Sequence, residues 1–219
     1  MPRIISNSAI SLDGKLTTFA HERVGLGTQE DWRRLHQLRA SADAVLVGGR
    51  TFRTWGLPFL EQAPYFTGIA VGRRPIINAV LTRRGVVAEA LQHPAWPDPR
   101  VQLWVLGPTD LDALEHVQKL GAIVKTTAKP TLTWAIQELV ALGCETILLE
   151  GGGDRLFQAL EANLLHELYV TLTPMLVGGA HSPTLVDGAG FLFGQRRKLR
   201  LLNLDHLGDE VFFHYEVRQ

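Results

Sequence analysis

The sequence predicts an α/β fold built on a mostly parallel central sheet that closes in an antiparallel C-terminal hairpin. Three observations carry this. Short apolar runs alternate with helical patterns along the whole length, which is the βαβ rhythm of a parallel sheet. Runs such as Ala44-Val45-Leu46-Val47 and Thr146-Ile147-Leu148-Leu149 are continuously apolar, as strands buried on both faces are. The last two strands differ: Lys198 to Leu204 alternates polar and apolar, and Val211 to Val217 follows a Gly208-Asp209 turn, a hairpin signature.

In order, the predicted strands are 3–10, 43–48, 75–81, 101–106, 122–126, 145–150, 166–174, 198–204 and 210–217. The predicted helices are 29–41, 50–55, 110–120, 131–142 and 153–163. The first helix opens at Thr28, an N-cap residue with Asp31 three positions on. Trp32, Leu35, Leu38 and Ala42 mark its expected buried side, Arg39 the border of that side, and Arg33 and Arg34 its solvent face. Residues 56–74 and 88–100 read as surface loops between apolar strands. No repeat or low-complexity tract interrupts the 219 residues, so a single domain over 1–219 is expected.

Composition narrows the function. Hydrophobic residues make up 46% and charged residues 20%, enough for a full core. Lys+Arg and Asp+Glu balance at 22 each, which argues against bulk electrostatic binding to nucleic acid or an anionic membrane. Cys144 is the single cysteine, so an intramolecular disulfide and a thiolate metal cluster within one chain are excluded, and its setting reads as a small buried hydrophobe. No signal peptide and no run of the roughly 18 apolar residues of a membrane helix is present, making a soluble protein with a cytoplasmic address the expectation.

The most informative segment is Leu148-Leu149-Glu150-Gly151-Gly152-Gly153-Asp154-Arg155-Leu156-Phe157. A buried strand ends, three glycines turn the chain, and an amphipathic helix begins. Ligands of open α/β sheets sit beyond the carboxyl ends of strands, and a helix start offers backbone N–H groups suited to phosphate. Neither the dinucleotide G-x-G-x-x-G fingerprint nor the P-loop fits, so this is a phosphate cradle of another kind. Glu150, a carboxylate closing an apolar strand, needs a partner. A second strand-to-glycine junction lies at Val47-Gly48-Gly49-Arg50-Thr51, where Thr51 either caps a helix or touches phosphate. Arg39, a guanidinium at a core edge, requires an anion. Asp13-Gly14-Lys15, a turn pair beyond the first strand, places an acid and an amine together.

These segments together resemble the reductase domain of bifunctional riboflavin-biosynthesis deaminase/reductases. The matching pieces are Ala9 to Lys15, His36 to Ala40, Asp43 to Gly48, Leu148 to Gly153, Leu165 to Leu168, Pro174 to Gly179 and Pro183 to Gly188. The resemblance implies a dihydrofolate-reductase-like three-layer α/β/α fold, NADPH as hydride donor, and a homodimer. The substrate it implies is a phosphoribosylamino-pyrimidine whose ribosyl group is reduced to ribityl. By position, Ala9, Thr51, Thr82 and the stretch Gly152, Gly153, Asp154, Arg155, Leu156, Phe157 and Gln158 line the implied cofactor site, with Gly151 opening the loop. Arg39 and Glu150 face the implied substrate, and Asp13, Glu150 or Lys15 polarises it or relays a proton. Arg83 or Arg84 would meet a 2′-phosphate.

The match departs at Phe52-Arg53-Thr54-Trp55-Gly56-Leu57-Pro58-Phe59, which lacks the family's acidic pair and its downstream arginine; Arg50 or Arg53 is the candidate replacement. Alternatives are therefore a same-fold reductase of another heterocycle such as a pterin, or a silent nucleotide-binding protein. His214-Tyr215-Glu216 has H-x-E spacing without Pro-Cys-x-x-Cys, which excludes zinc deamination, and no metal site is expected. Val170 to Pro174 is either a dimer edge or buried packing.

Overall fold

The computed structural model describes residues 2–22, 25–55, 74–83, 101–108, 117–119 and 121–218, with 54 and 55 as backbone only. Tertiary contacts divide the chain into two compact units, Met1–Pro2 with His36–Leu148, and Arg3–Leu35 with Leu149–Gln219.

The first unit carries β2 (Ala44–Gly48), β3 (Ile76–Leu81), β4 (Val101–Leu106) and β5 (Ile123–Lys125). They lie in the order β5-β4-β3-β2, every pair parallel, followed by the start of β6 (Thr146–Glu150). Every residue of β2 and β3 is buried, which is why their sequences carry no polar alternation. Among the described residues this unit carries α2 (Gly49–Trp55) and α3 (Leu132–Ala141), and residues 117–119 are helical; the rest of the helix expected over 110–120 lies outside the described residues. Thr131 caps α3 by accepting from the Trp134 amide at 3.2 Å, while Ala135, Ile136 and Leu139 turn inward. Cys144 follows α3, buried as expected, and burial pushes its thiol up to about 11.

The second unit begins with the end of β6 and continues β1 (Arg3–Ser11), β7 (Glu167–Thr173), β9 (Glu210–Arg218) and β8 (Lys198–Leu207). β1 pairs parallel with β7, whereas β7–β9 and β9–β8 are antiparallel, with Gly208 at φ 59° in the hairpin turn. The expected mixed sheet with an antiparallel end is therefore what the chain forms. α4 (Gly153–Glu161) follows β6. β7 lies between β1 and β9, with Val170, Thr171 and Thr173 buried, so packing and not a free edge accounts for the Val170–Pro174 strip. Among the described residues no helix is long and apolar enough to cross a membrane.

Helix α1 (Gln29–Ser41) corrects three expectations. Trp32 is exposed, whereas Asp31, His36 and Arg39 are buried. Asp31 takes the inward position because the Thr171 hydroxyl binds it and Gly27 leaves room where a Cβ would lie 2.1 Å from its Oδ2. A turn of about 100° per residue then swings Trp32 outward. Nor is Arg34 free surface charge: it pairs with Glu30 and Asp205 and lies 3.8 Å over the Phe212 ring. Finally, Thr28 accepts from the Glu30 amide as the cap predicts, but the acid bound by its own amide, at 2.8 Å, is Glu210 of β9, not Asp31.

Candidate active site

In the second unit, β1 ends at Ser11 and a turn with Gly14 at φ 80° follows. Asp13 is locked there. Its Oδ1 accepts from Ser11 Oγ at 2.6 Å and the Val177 amide at 3.0 Å, and its Oδ2 accepts from the Gly178 amide at 2.7 Å. The Ser11 hydroxyl first, and the two amides after it, lower the Asp13 carboxyl to about 2. At neutral pH Asp13 thus holds no proton, which leaves it an acceptor and fixed charge and not an acid. Lys15 is bridged antiparallel to Thr184, its amide donating to Ser11 Oγ at 2.9 Å.

Glu150 is buried at the end of β6. Gly152 then caps α4 in an extended conformation with no side-chain cap bond. Its Cβ direction is open, with no atom within 4 Å, but that of Gly153 is filled: a Cβ there would lie 2.4 Å from the Thr184 carbonyl oxygen and 2.6 Å from the Asp187 amide. The glycines therefore divide their work. Gly153 admits the chain's own 184–187 loop, and Gly152 starts the helix with no side-chain cap, an arrangement that attracts anions. Asp187 fastens that loop by accepting from the Thr184 amide at 3.0 Å and hydroxyl at 2.6 Å. Within α4, Asp154 is exposed, Arg155 donates to Gln158 at 3.1 Å, and the Leu156 and Phe157 side chains are buried. Ala9, half-buried in β1, stands opposite Thr171.

Segment 174–188 is the hub that residue-by-residue reading missed. It binds Asp13 through Val177 and Gly178, zips to the β1 turn by the Leu12 amide to the Met175 carbonyl and the Leu16 amide to the Pro183 carbonyl, and packs on Gly153. Its signal in the sequence was present in Gly178, Gly179 and Gly188, all at positive φ.

The first unit holds the remaining residues. Gly48 ends β2, Thr51 is half-buried in the first turn of α2, and Thr82 is buried just past β3. A Cβ on Gly49 would lie 2.9 Å from Thr82 Oγ1, so that glycine lets Thr82 sit against the α2 start. Arg50, Arg53 and Arg83 are exposed around it, while Arg84 and 56–59 lie outside the described residues. Arg39 is buried in α1.

Residues 2–213 match the family model described as the RibD C-terminal domain. The chain is 32% identical to the 2,5-diamino-6-ribosylamino-4(3H)-pyrimidinone 5′-phosphate reductase of Methanothermobacter thermautotrophicus, covering 99% of each. It is 27% identical to the Aquifex aeolicus protein of the same name, over 94% of this chain and 88% of that one. In fold it is similar to a pyrimidine reductase-like protein of Corynebacterium diphtheriae, with a TM-score of 0.80 at 23% identity, covering 100% of this chain and 92% of that chain. A family match over residues 2–213 and a relative matched along nearly the whole length have one meaning: this chain belongs to the RibD C-terminal domain family.

Proposed function

We propose that this chain is a nicotinamide-dependent reductase of riboflavin biosynthesis, taking NADPH as donor. It reduces the ribosyl group of 2,5-diamino-6-ribosylamino-4(3H)-pyrimidinone 5′-phosphate, or of the 5-amino-uracil counterpart, to ribityl. The observation that carries this is the end-to-end likeness to the Methanothermobacter reductase. The start of α4 at Gly152 supports a nucleotide phosphate there, since it carries no side-chain cap and a Cβ on Gly152 would meet no atom within 4 Å. Gly151 to Gln158, Ala9, Thr51 and Thr82 are assigned to the cofactor, as the family resemblance implies. The side chains of Leu156 and Phe157, being buried, leave only their backbone for that task.

NADPH, when bound, supplies a hydride to the electrophilic carbon of the ribosyl group. The protein's own part is positioning. Arg39 and Glu150 are assigned to the substrate. Asp13, ionised, holds the β1 turn and segment 174–188 in place, which leaves Glu150 or Lys15 to handle the proton. The chain acts as a single reductase domain, working in the cytoplasm as a homodimer.

The test is loss of nicotinamide absorbance with NADPH and each pyrimidine phosphate in turn, beside a pterin. Oxidation with a pyrimidine phosphate is the expected result. Oxidation with a pterin alone would move the substrate class, and binding without oxidation on any of them would make the chain a silent nucleotide-binding protein.

A further inference from the structure

Arg53 lies in the stretch where the sequence departs from the family, and it is one candidate for the missing substrate cation. The fold gives it a different neighbour. It follows Gly49 by four residues, about one helical turn, so the two share a face of α2. A Cβ on Gly49 would lie 2.9 Å from Thr82 Oγ1 and 3.3 Å from Nη1 of Arg53. The bare backbone at position 49 thus lets the Arg53 head group fold back to the corner that Thr82 occupies. Thr82 is one of the residues assigned to the cofactor.

Charge narrows what this corner takes. The α2 sequence, Gly-Arg-Thr-Phe-Arg-Thr-Trp, holds no acid, and Arg83 directly follows Thr82. Arg50, Arg53 and Arg83 are exposed, and among the described residues no ion pair involves any of them. An exposed cation needs no partner to be stable; what singles out Arg53 is a head group placed against a glycine beside Thr82. That arrangement suits a phosphate monoester, which carries about two negative charges at neutral pH and matches the planar fork of a guanidinium. A diphosphate bridge carries less charge on each phosphorus and is served by neutral backbone amides, as at the start of α4. Both reactants of the proposed reaction carry a monoester, NADPH at its 2′ position and the substrate at its 5′ position. The place of Thr82 among the cofactor residues favours the first.

We propose that Arg53 is a donor-specificity residue, its guanidinium binding the 2′-phosphate of NADPH beside Thr82 and so selecting NADPH over NADH. This rests on the reductase reading above, and a binding test lets the two fail separately. The whole chain is titrated calorimetrically with NADPH, NADH, adenosine 2′-monophosphate and ribose 5-phosphate, as wild type, Arg53→Gln and Arg53→Lys. Wild type should bind NADPH more tightly than NADH. Arg53→Gln should weaken NADPH and adenosine 2′-monophosphate by about tenfold and leave NADH unchanged. Arg53→Lys, which keeps the charge without the fork, should fall between. Equal weakening of NADPH and NADH would give Arg53 to the diphosphate, and weakening of ribose 5-phosphate alone would give it to the substrate. Unchanged binding throughout would make it surface charge; each of these overturns the proposal. A wild type that binds neither nucleotide overturns the nicotinamide reading, and the proposal with it. Should Arg53→Gln not fold, the NADPH-to-NADH ratio of Arg53→Lys decides.

Discussion

The amide of Gly178 donates a 2.7 Å hydrogen bond to Oδ2 of Asp13, across 165 residues of chain. With Ser11 and Val177 it lowers the carboxyl from 3.8 to about 2. The clamp is accordingly complete above pH about 3.8 and is lost as pH falls towards 2. Asp13→Asn should speed hydrogen exchange at the Val177 and Gly178 amides at pH 7, and wild type should approach the variant's rates only in strong acid. Unchanged exchange in the variant would remove Asp13 as the clamp.

Gly152 and Gly153 should separate under alanine substitution. Gly153→Ala drives a Cβ to 2.4 Å from the Thr184 carbonyl oxygen and should cost about 1–3 kcal/mol of stability. Gly152→Ala meets open space and should cost under about 1 kcal/mol, yet weaken NADPH binding. Thermal melts and a cofactor titration on both variants check this.

Asn78 is buried in the middle of β3 between Val45 and Leu103, and neither polar atom of its side chain has a hydrogen-bond partner. A buried amide in that state costs about 1–3 kcal/mol. Asn78→Val, apolar and β-branched, should raise the urea midpoint; a fall would mean that the amide is satisfied after all.

Glu167 accepts two 2.6 Å bonds from Arg3 and contacts His214 Nε2 at 2.7 Å. Arg3 is the main cause holding its carboxyl at about 2, below the usual 4.5. Its contribution is full above pH about 4.5 and fades between there and 2. Because Arg3 is half exposed, solvent screening leaves about 1 kcal/mol. Denaturation of wild type and Glu167→Gln should differ by that much at pH 7 and converge in acid.

Arg39→Ala should damage use of the pyrimidine phosphate far more than binding of NADPH. Equal loss of both would reject its assignment to substrate, as steady-state kinetics beside a cofactor titration will show.

The strands were legible because their chemistry is local. Ala44 to Gly48 is apolar throughout, Ile76 to Leu81 is apolar except at Asn78, and both are buried throughout. The inward side of α1 was not, because it is set by Thr171, far away in sequence, together with Gly27 just before the helix, and these invert the apolar pattern around Asp31 and Trp32. In the candidate site the glycine run was visible, but its division of labour was not: three identical residues look alike until segment 184–187 packs on one of them. Asp13 was picked out by position, and only the fold reveals that its carboxylate is already occupied by Val177 and Gly178.

Gly107 has φ 135°, and a Cβ there would come within 1.9 Å of the Thr82 carbonyl oxygen. Its own amide donates to Lys125 at 3.0 Å, and the Thr82 amide donates to Leu106 at 2.9 Å. Position 107 is thus barred to every side chain by a neighbour that bears on the proposed cofactor, although it would touch no cofactor itself. Attempts to retune donor preference should leave that glycine alone and vary the exposed cations Arg50 and Arg83, where a new side chain displaces only water.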